Sequence, residues 1–336
     1  MKQAVIRRDA LEDFIRSIGK DCMVYAPLRE GNTVCLTEIS SGGKIELAYA
    51  NSKVPLKSLF FPQAETICTF EDGEVLNVHL PDEKAVVFGS RPCDARALRI
   101  VDKVFSEDIT DPYYHARRNN TLIISLTCND PSDTCFCTSL GGSPSGKEGS
   151  DILVFDLGEV LLFETVSEKG ESFMETYSGS FQPAKKVQMK TKKDIASMAE
   201  KKVPAIDAEA VSERLEGSFD SPFWDEIHKT CLGCGVCTFL CPTCHCFAFD
   251  DNRVDSIGER IRLWDCCQYP AFTLEASGHN PRISSRERMR QRIMHKFSYY
   301  VKNFEEVACV GCGRCVENCP INLDLREIVT IIKEES

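Results

Sequence analysis

Residues 231–242 read Cys-Leu-Gly-Cys-Gly-Val-Cys-Thr-Phe-Leu-Cys-Pro, and residues 309–320 read Cys-Val-Gly-Cys-Gly-Arg-Cys-Val-Glu-Asn-Cys-Pro. Both segments have the spacing C-x2-C-x2-C-x3-C-P, which is typical of cysteine ligands in two-cluster ferredoxins. The short spacings let three thiolates surround one [4Fe-4S] cluster. The proline then turns the chain, so that the fourth thiolate faces the neighbouring cluster. A chain with two such runs is predicted to carry electrons.

The fourth cysteine of each run is therefore assigned to the cluster of the other run. The first [4Fe-4S] cluster is predicted to have four ligands, Cys231, Cys234, Cys237 and Cys319. The second is predicted to have Cys309, Cys312, Cys315 and Cys241. A zinc site would favour two separated C-x2-C pairs. The segment 241–245 also matches the C-x-x-C-H haem-attachment pattern, but its first cysteine is already assigned to a cluster.

Composition restricts the class of protein. The chain has 336 residues, 43% of them hydrophobic, and 19 cysteines. Its N-terminal residues are mixed and charged, unlike a signal peptide, so the cysteines indicate metal binding in a reducing compartment and not a disulfide framework. No apolar run approaches the roughly 20 residues of a membrane span. With 40 basic and 51 acidic residues, the chain is not expected to bind nucleic acid. We predict a cytoplasmic protein.

The order of apolar and charged segments predicts an α+β protein with three regions. Short apolar runs separated by turn residues predict an α/β domain over residues 1–165. Residues 166–225 are charged and are predicted to form a helical connector. Residues 226–336 are predicted to form an α-helical ferredoxin domain with two [4Fe-4S] clusters. Its basic helical stretch, residues 284–297, is expected to support the anionic clusters or a docking surface.

A second group of cysteines lies in the α/β domain. Cys93 follows a predicted strand at 85–89, and Cys128, Cys135 and Cys137 follow another at 121–127. Because the carboxyl ends of parallel strands meet at one edge of a sheet, these four cysteines are predicted to lie together. They are predicted to hold a third [4Fe-4S] cluster. Four thiolates would also suit zinc, and buried thiols packed in a core are a further interpretation.

Four other cysteines receive no assignment, namely Cys244, Cys246, Cys266 and Cys267. They could bind another metal, contact a cluster or pack in the core. The chain has no G-x-G-x-x-G or P-loop motif and no evident nucleophile triad. We therefore predict no catalytic residues and no cofactor-binding residues beyond the cluster ligands, and we leave open whether the chain is an enzyme.

Several further segments accompany the two cysteine runs. They are Ser-Arg-Pro-Cys-Asp-Ala-Arg-Ala-Leu (90–98), Cys-Phe-Cys-Thr-Ser (135–139), Cys-Pro-Thr-Cys-His-Cys-Phe (241–247), Arg-x-Arg-Leu-Trp-Asp-x-Cys (260–267), Asn-Pro-Arg (280–282) and Met-His-Lys-Phe-Ser-Tyr (294–299). With them, the chain resembles the iron–sulfur subunit shared by cytoplasmic sulfhydrogenases (in which it is the beta subunit), anaerobic sulfite reductases and flavin oxidoreductase–heterodisulfide reductase complexes. In that family serine commonly precedes the last cysteine of the Trp-Asp-x-Cys segment. Cys267 thus matches the pattern, and Cys266 is extra.

The resemblance implies an electron relay in an anaerobic, cytoplasmic hetero-oligomer. A partner subunit that contains FAD and oxidises NAD(P)H would exchange electrons with the clusters of this chain. The clusters would pass electrons to or from a catalytic subunit of hydrogenase, sulfite reductase or heterodisulfide reductase type, or a further iron–sulfur subunit. Two alternatives remain open. One is an enzyme that reduces sulfur compounds or disulfides with a cysteine-ligated cluster of its own. The other is a binding module with structural cysteines.

Overall fold

The computed structural model describes residues 2–39 and 43–334. Its strands are β1 (Gln3–Arg7), β2 (Met23–Glu30), β3 (Thr33–Glu38), β4 (Ala64–Glu71), β5 (Glu74–Val78), β6 (Ala85–Ser90), β7 (Thr121–Leu126), β8 (Ile152–Asp156), β9 (Val160–Thr165), β10 (Gln182–Pro183), β11 (Phe247–Val254) and β12 (Ile257–Trp264). Its α-helices are α1 (Leu11–Ile18), α2 (Pro92–Val104), α3 (Pro112–Asn120), α4 (Glu168–Thr176), α5 (Lys186–Lys202), α6 (Val211–Glu216), α7 (Phe223–Ile227), α8 (Val236–Phe239), α9 (Ser285–Met294), α10 (Tyr300–Phe304), α11 (Arg314–Glu317) and α12 (Leu325–Glu334).

The chain folds into two compact units that are not contiguous in sequence. The first contains the residues up to Phe60, Pro81–Ala205 and Val310–Cys312. The second contains Phe61–Leu80, Ile206–Cys309 and the residues from Gly313 onwards. The three-region division predicted from the sequence placed residues 61–80 with the α/β domain and 310–312 with the ferredoxin domain.

The first unit is built on an eight-stranded mixed sheet with the order β10-β1-β9-β8-β7-β6-β2-β3. The four strands β2, β6, β7 and β8 are parallel neighbours. Every residue of β6 and β7 is buried, as expected for parallel strands covered on both faces. On α1, Leu11, Phe14, Ile15 and Ile18 are buried. The predicted α/β architecture of the N-terminal part is therefore confirmed.

The second unit contains an antiparallel sheet with the order β11-β12-β4-β5. The segment 61–80 belongs to this unit because β4 pairs with β12 along most of its length. A buried ion pair between Arg262 and Glu65, 2.5 Å apart, links the same two strands. Between the two cysteine runs, residues 247–264 form a β-hairpin, which the sequence interpretation did not foresee.

The basic stretch 284–297 is helical, as predicted. Ser284 caps α9 and forms a capping box with Glu287, which satisfies donors at the helix start. After α9, residues His295–Tyr299 form a π-helical turn that leads into α10. Within the described parts of the chain, no helix is both long enough and apolar enough to cross a membrane.

Candidate iron–sulfur sites

The two cysteine runs adopt the same local backbone. Gly233 and Gly311 have φ of 64° and 62°, and Gly235 and Gly313 have φ of 78° and 77°. Such left-handed values favour glycine. In both runs the second glycine is the residue directly before a four-residue helix, α8 or α11. The repeated spacing in the sequence therefore corresponds to a repeated backbone turn that leads into a short helix.

Cys319, the last cysteine of the second run, lines a cavity together with the cysteines of the first run. One cavity of the second unit is lined by five cysteines, Cys231, Cys234, Cys237, Cys315 and Cys319. This set includes all four predicted ligands of the first cluster. Most of the remaining wall is apolar, including Ile293 and Ile328. An apolar shell limits solvent access to a metal site and thereby influences its potential.

Backbone amides donate to two sulfurs of this cavity. The amide of Gly233 donates to Cys231 Sγ at 3.4 Å, and that of Leu323 donates to Cys319 Sγ at 3.2 Å. Hydrogen bonds to ligand sulfurs are one of the factors that set the reduction potential of iron–sulfur clusters. The cavity thus offers thiols, amide donors and an apolar wall together.

Cys241, the last cysteine of the first run, is buried beside polar side chains. Lys296 Nζ lies 3.3 Å from its sulfur, and Thr243 Oγ1 lies 3.1 Å from it. A hydrogen bond from Cys244, together with Lys296 and Arg292, holds the pKa of the Cys241 thiol well below its usual range despite burial. Cys241 is therefore disposed to be a thiolate, the form that binds iron.

The other three predicted ligands of the second cluster fall in both units. Cys309 is buried and Cys315 is half-buried, and both belong to the second unit. Cys312 is buried and belongs to the first unit. The grouping of these three with Cys241 remains a prediction.

The four cysteines predicted for the third cluster line one cavity of the first unit. They are Cys93, Cys128, Cys135 and Cys137. Cys93 lies in the first turn of α2, directly after β6, and the other three follow β7. Since β6 and β7 are adjacent and parallel, their carboxyl ends bring these residues to one edge of the sheet, as predicted.

This cavity has additional polar walls that sequence reasoning missed. Arg91 is buried, stacks 3.9 Å from the centre of the Tyr49 ring and donates to Thr127 O at 2.6 Å. Asn51 accepts from Cys93 Sγ at 3.8 Å and donates to Cys312 O at 2.8 Å. Arg91 could have been suspected from its position two residues before Cys93, but no pattern in the sequence indicates Asn51.

Gly311 of the second cysteine run, which belongs to the first unit, also lines this cavity. The amide of Phe136 donates to Gly311 O at 2.8 Å, and Cys135 Sγ donates to Cys312 O at 3.6 Å. A Cβ atom at Gly311 would lie 2.6 Å from the backbone of Phe136 and Cys137. Residue 311 must therefore be glycine both for its φ and for this close approach.

The thiols of this cavity perturb one another. Burial raises the pKa of Cys135 to about 12, and the nearby Cys128 and Cys312 add to the shift. Burial and Cys128 raise the pKa of Cys137 to about 11. Thiolates this close repel one another. They are ionised together only when a bound metal neutralises their charge, and such a metal deprotonates the thiols that coordinate it. The donor set therefore fits an iron–sulfur cluster.

The unassigned cysteines pack beside the first run in the second unit. Cys267 Sγ lies 3.8 Å from Thr238 Oγ1, and a hydrogen bond from Cys246 lowers the pKa of Cys267 to about 5. Arg292 donates to Cys244 Sγ at 3.7 Å. Cys266 is fully buried, and a Cβ at Gly235 would lie 3.1 Å from its sulfur. The extra cysteine thus packs against a glycine of the first run.

Within residues 2–39 and 43–334, no three side chains of His, Cys, Asp or Glu are grouped in the way that a single metal ion requires. The sites described above are instead two cavities lined by several thiols each.

Cavities lined by cysteines from repeated C-x2-C-x2-C-x3-C-P runs define the class of iron–sulfur proteins with two ferredoxin-type clusters. In agreement, the profile of the family described as a 4Fe-4S dicluster domain matches residues 230–323. Over its whole length, the chain is similar to sulfhydrogenase 2 subunit beta of Pyrococcus furiosus. The two are 31% identical over 340 residues, which cover 99% of each chain. The chain belongs to the family of these iron–sulfur beta subunits, and the resemblance predicted from the sequence is confirmed.

Proposed function

We propose that this chain is the electron-relay subunit of an anaerobic, cytoplasmic oxidoreductase complex. The observation that carries the proposal is the cavity in which Cys319 joins Cys231, Cys234 and Cys237. This cavity supports the ferredoxin pattern, in which the last cysteine of one run joins the first three cysteines of the other. The dicluster match over 230–323 supports [4Fe-4S] clusters as the cofactors.

We assign three clusters to the chain. The first has the ligands Cys231, Cys234, Cys237 and Cys319; the second has Cys309, Cys312, Cys315 and Cys241; the third has Cys93, Cys128, Cys135 and Cys137. When bound, the clusters supply one-electron transfer. The role of the chain is to hold the thiolates, exclude water with apolar walls and donate hydrogen bonds to sulfur.

The proposed partners are a flavin-containing subunit that oxidises NAD(P)H and a catalytic or further iron–sulfur subunit. Two observations support this arrangement. The relative from Pyrococcus furiosus is described as a subunit, and it matches this chain from end to end. The sequence also has no nucleotide-binding motif, so hydride chemistry is assigned to a partner.

A second candidate function is reduction of a sulfur compound by the chain itself. The observation that favours it is the hydrogen-bonded thiol pair Cys246 and Cys267, in which Cys267 has a lowered pKa. Such a thiol has the thiolate character that attacks sulfur compounds.

Anaerobic purification of the tagged chain from its native host tests both functions. We expect a flavin-containing polypeptide to copurify, and NAD(P)H to bleach the visible absorption of the clusters in this complex. The same chain isolated from its partners should be bleached by dithionite and not by NAD(P)H. Reduction of polysulfide or a disulfide by the dithionite-reduced, partner-free chain, at the rate of the complex, would contradict the relay function and favour the second candidate.

A further inference from the structure

Lys296 is a buried cation next to a predicted cluster ligand. It lies on the π-helical turn His295–Tyr299, and its side chain is 3% exposed. Turns of this kind interrupt α-helices frequently at functional sites. Here the turn directs the lysine side chain into the interior of the second unit, where it reaches the first cysteine run.

The three ammonium donors of Lys296 all have acceptors. They are Cys241 Sγ at 3.3 Å, Thr243 Oγ1 at 3.0 Å and the carbonyl oxygen of Ala308 at 2.9 Å. Since an ammonium group has three donors, this set satisfies it completely. The ammonium group of Lys296 is therefore held in the interior by specific hydrogen bonds.

None of these three acceptors is a carboxylate. A buried charge is costly unless an opposite charge compensates it. Of the three acceptors, only the sulfur of Cys241 can carry a full negative charge, as a thiolate bound to iron. The natural counterion of Lys296 is thus the cluster that Cys241 binds.

Lys296 also ties the end of the first run to the start of the second. Its carbonyl oxygen accepts from the amide of Ala308 at 2.8 Å, while its ammonium donates to the carbonyl of the same residue. Thr243 Oγ1 donates to Ala308 O at 2.7 Å. Ala308 directly precedes Cys309, so one lysine contacts both Cys241 and the chain that leads into Cys309.

We propose that Lys296 is a positioning residue that raises the reduction potential of the cluster bound by Cys241. This inference rests on the proposed function. Reduction of a [4Fe-4S] cluster adds one electron and hence one negative charge, with no bond made or broken. A buried positive charge and a hydrogen bond to a ligand sulfur both stabilise the reduced form more than the oxidised form. Lys296 thereby makes this cluster a better electron acceptor than it would be with a neutral residue at position 296.

The test is a redox titration of the anaerobically purified full-length chain, followed by electron paramagnetic resonance. In Lys296→Met we expect one cluster component to become harder to reduce, with at least a tenfold lower reduced-to-oxidised ratio at fixed potential. For one electron this corresponds to about 59 mV. The other components should not shift, and the iron content should equal that of the natural chain.

Two variants serve as controls. Lys302→Met removes a lysine from α10 whose side chain is half-exposed and pairs with Glu216, so it should leave every component unchanged. Lys296→Arg keeps the charge and should stay closer to the natural chain than Lys296→Met. If Lys296→Met loses iron, the neutral Lys296→Gln is titrated in its place and must show the same shift. An unchanged potential in an iron-replete neutral variant overturns the inference, as does loss of iron in both neutral variants. A natural chain without iron would instead overturn the proposed function.

Discussion

Replacing Cys319 with serine is expected to remove about four iron atoms per chain, the content of one [4Fe-4S] cluster. Replacing Cys231 alone should have the same effect. Because both residues line one cavity, the double variant Cys231→Ser/Cys319→Ser should lose no more iron than either single variant. Two residues that ligate one cluster are strongly non-additive in this way. Iron is measured on anaerobically purified, full-length chains.

The matched comparison is a double variant that combines Cys319 with a cysteine of its own run. In Cys309→Ser/Cys319→Ser the losses should add, to about eight iron atoms per chain, because the two residues are assigned to different clusters. Cys35→Ser is the control, since Cys35 lies on β3 of the first unit, outside both cysteine-lined cavities. An additive loss in the pair of Cys231 and Cys319, with a non-additive loss in the pair of Cys309 and Cys319, would contradict the crossed assignment.

Replacing Cys135 with serine is expected to remove about four further iron atoms, those of the third cluster. Cys137→Ser should do the same, and the double variant should lose no more than either one. The reason is that both thiols line the same cavity as Cys93 and Cys128. The electron paramagnetic resonance signals of the two ferredoxin-type clusters should persist in all three variants.

Cys22→Ser is the control for this experiment. Cys22 belongs to the same unit, packs beside the core of the eight-stranded sheet and does not line the cavity. Unchanged iron in Cys135→Ser and Cys137→Ser would show that these cysteines are structural. Zinc in the natural chain, lost in both variants, would show that the site holds zinc and not a cluster.

The sequence predicted well those features that depend on short spacing or on adjacent parallel strands. The repeated spacing of the two runs requires glycine at fixed positions, and Gly233 and Gly311 have almost the same φ. The cysteines after β6 and β7 could be placed together because parallel strands end at one edge. Neither inference requires knowledge of how distant segments pack.

Other features could not be predicted, for physical reasons. Every residue of β11 is exposed, so this strand has no buried face that an alternation of apolar and polar residues could indicate. The sequence of residues 61–80 indicates two strands, but nothing in it identifies β12 as the strand that pairs with β4.

The role of Lys296 was also hidden in the sequence. The basic character of residues 284–297 indicated support for the clusters, but a π-helical turn changes which side chains point inward, relative to a regular α-helix. Helical periodicity therefore could not single out Lys296 from the other basic residues of the stretch.

We propose that this chain holds three [4Fe-4S] clusters and relays electrons through them. Quantification of iron and acid-labile sulfide in the anaerobically purified chain tests this claim most directly. We predict about twelve iron and about twelve sulfide per chain. About eight of each would contradict the third cluster, and a chain without iron and sulfide would contradict the account as a whole.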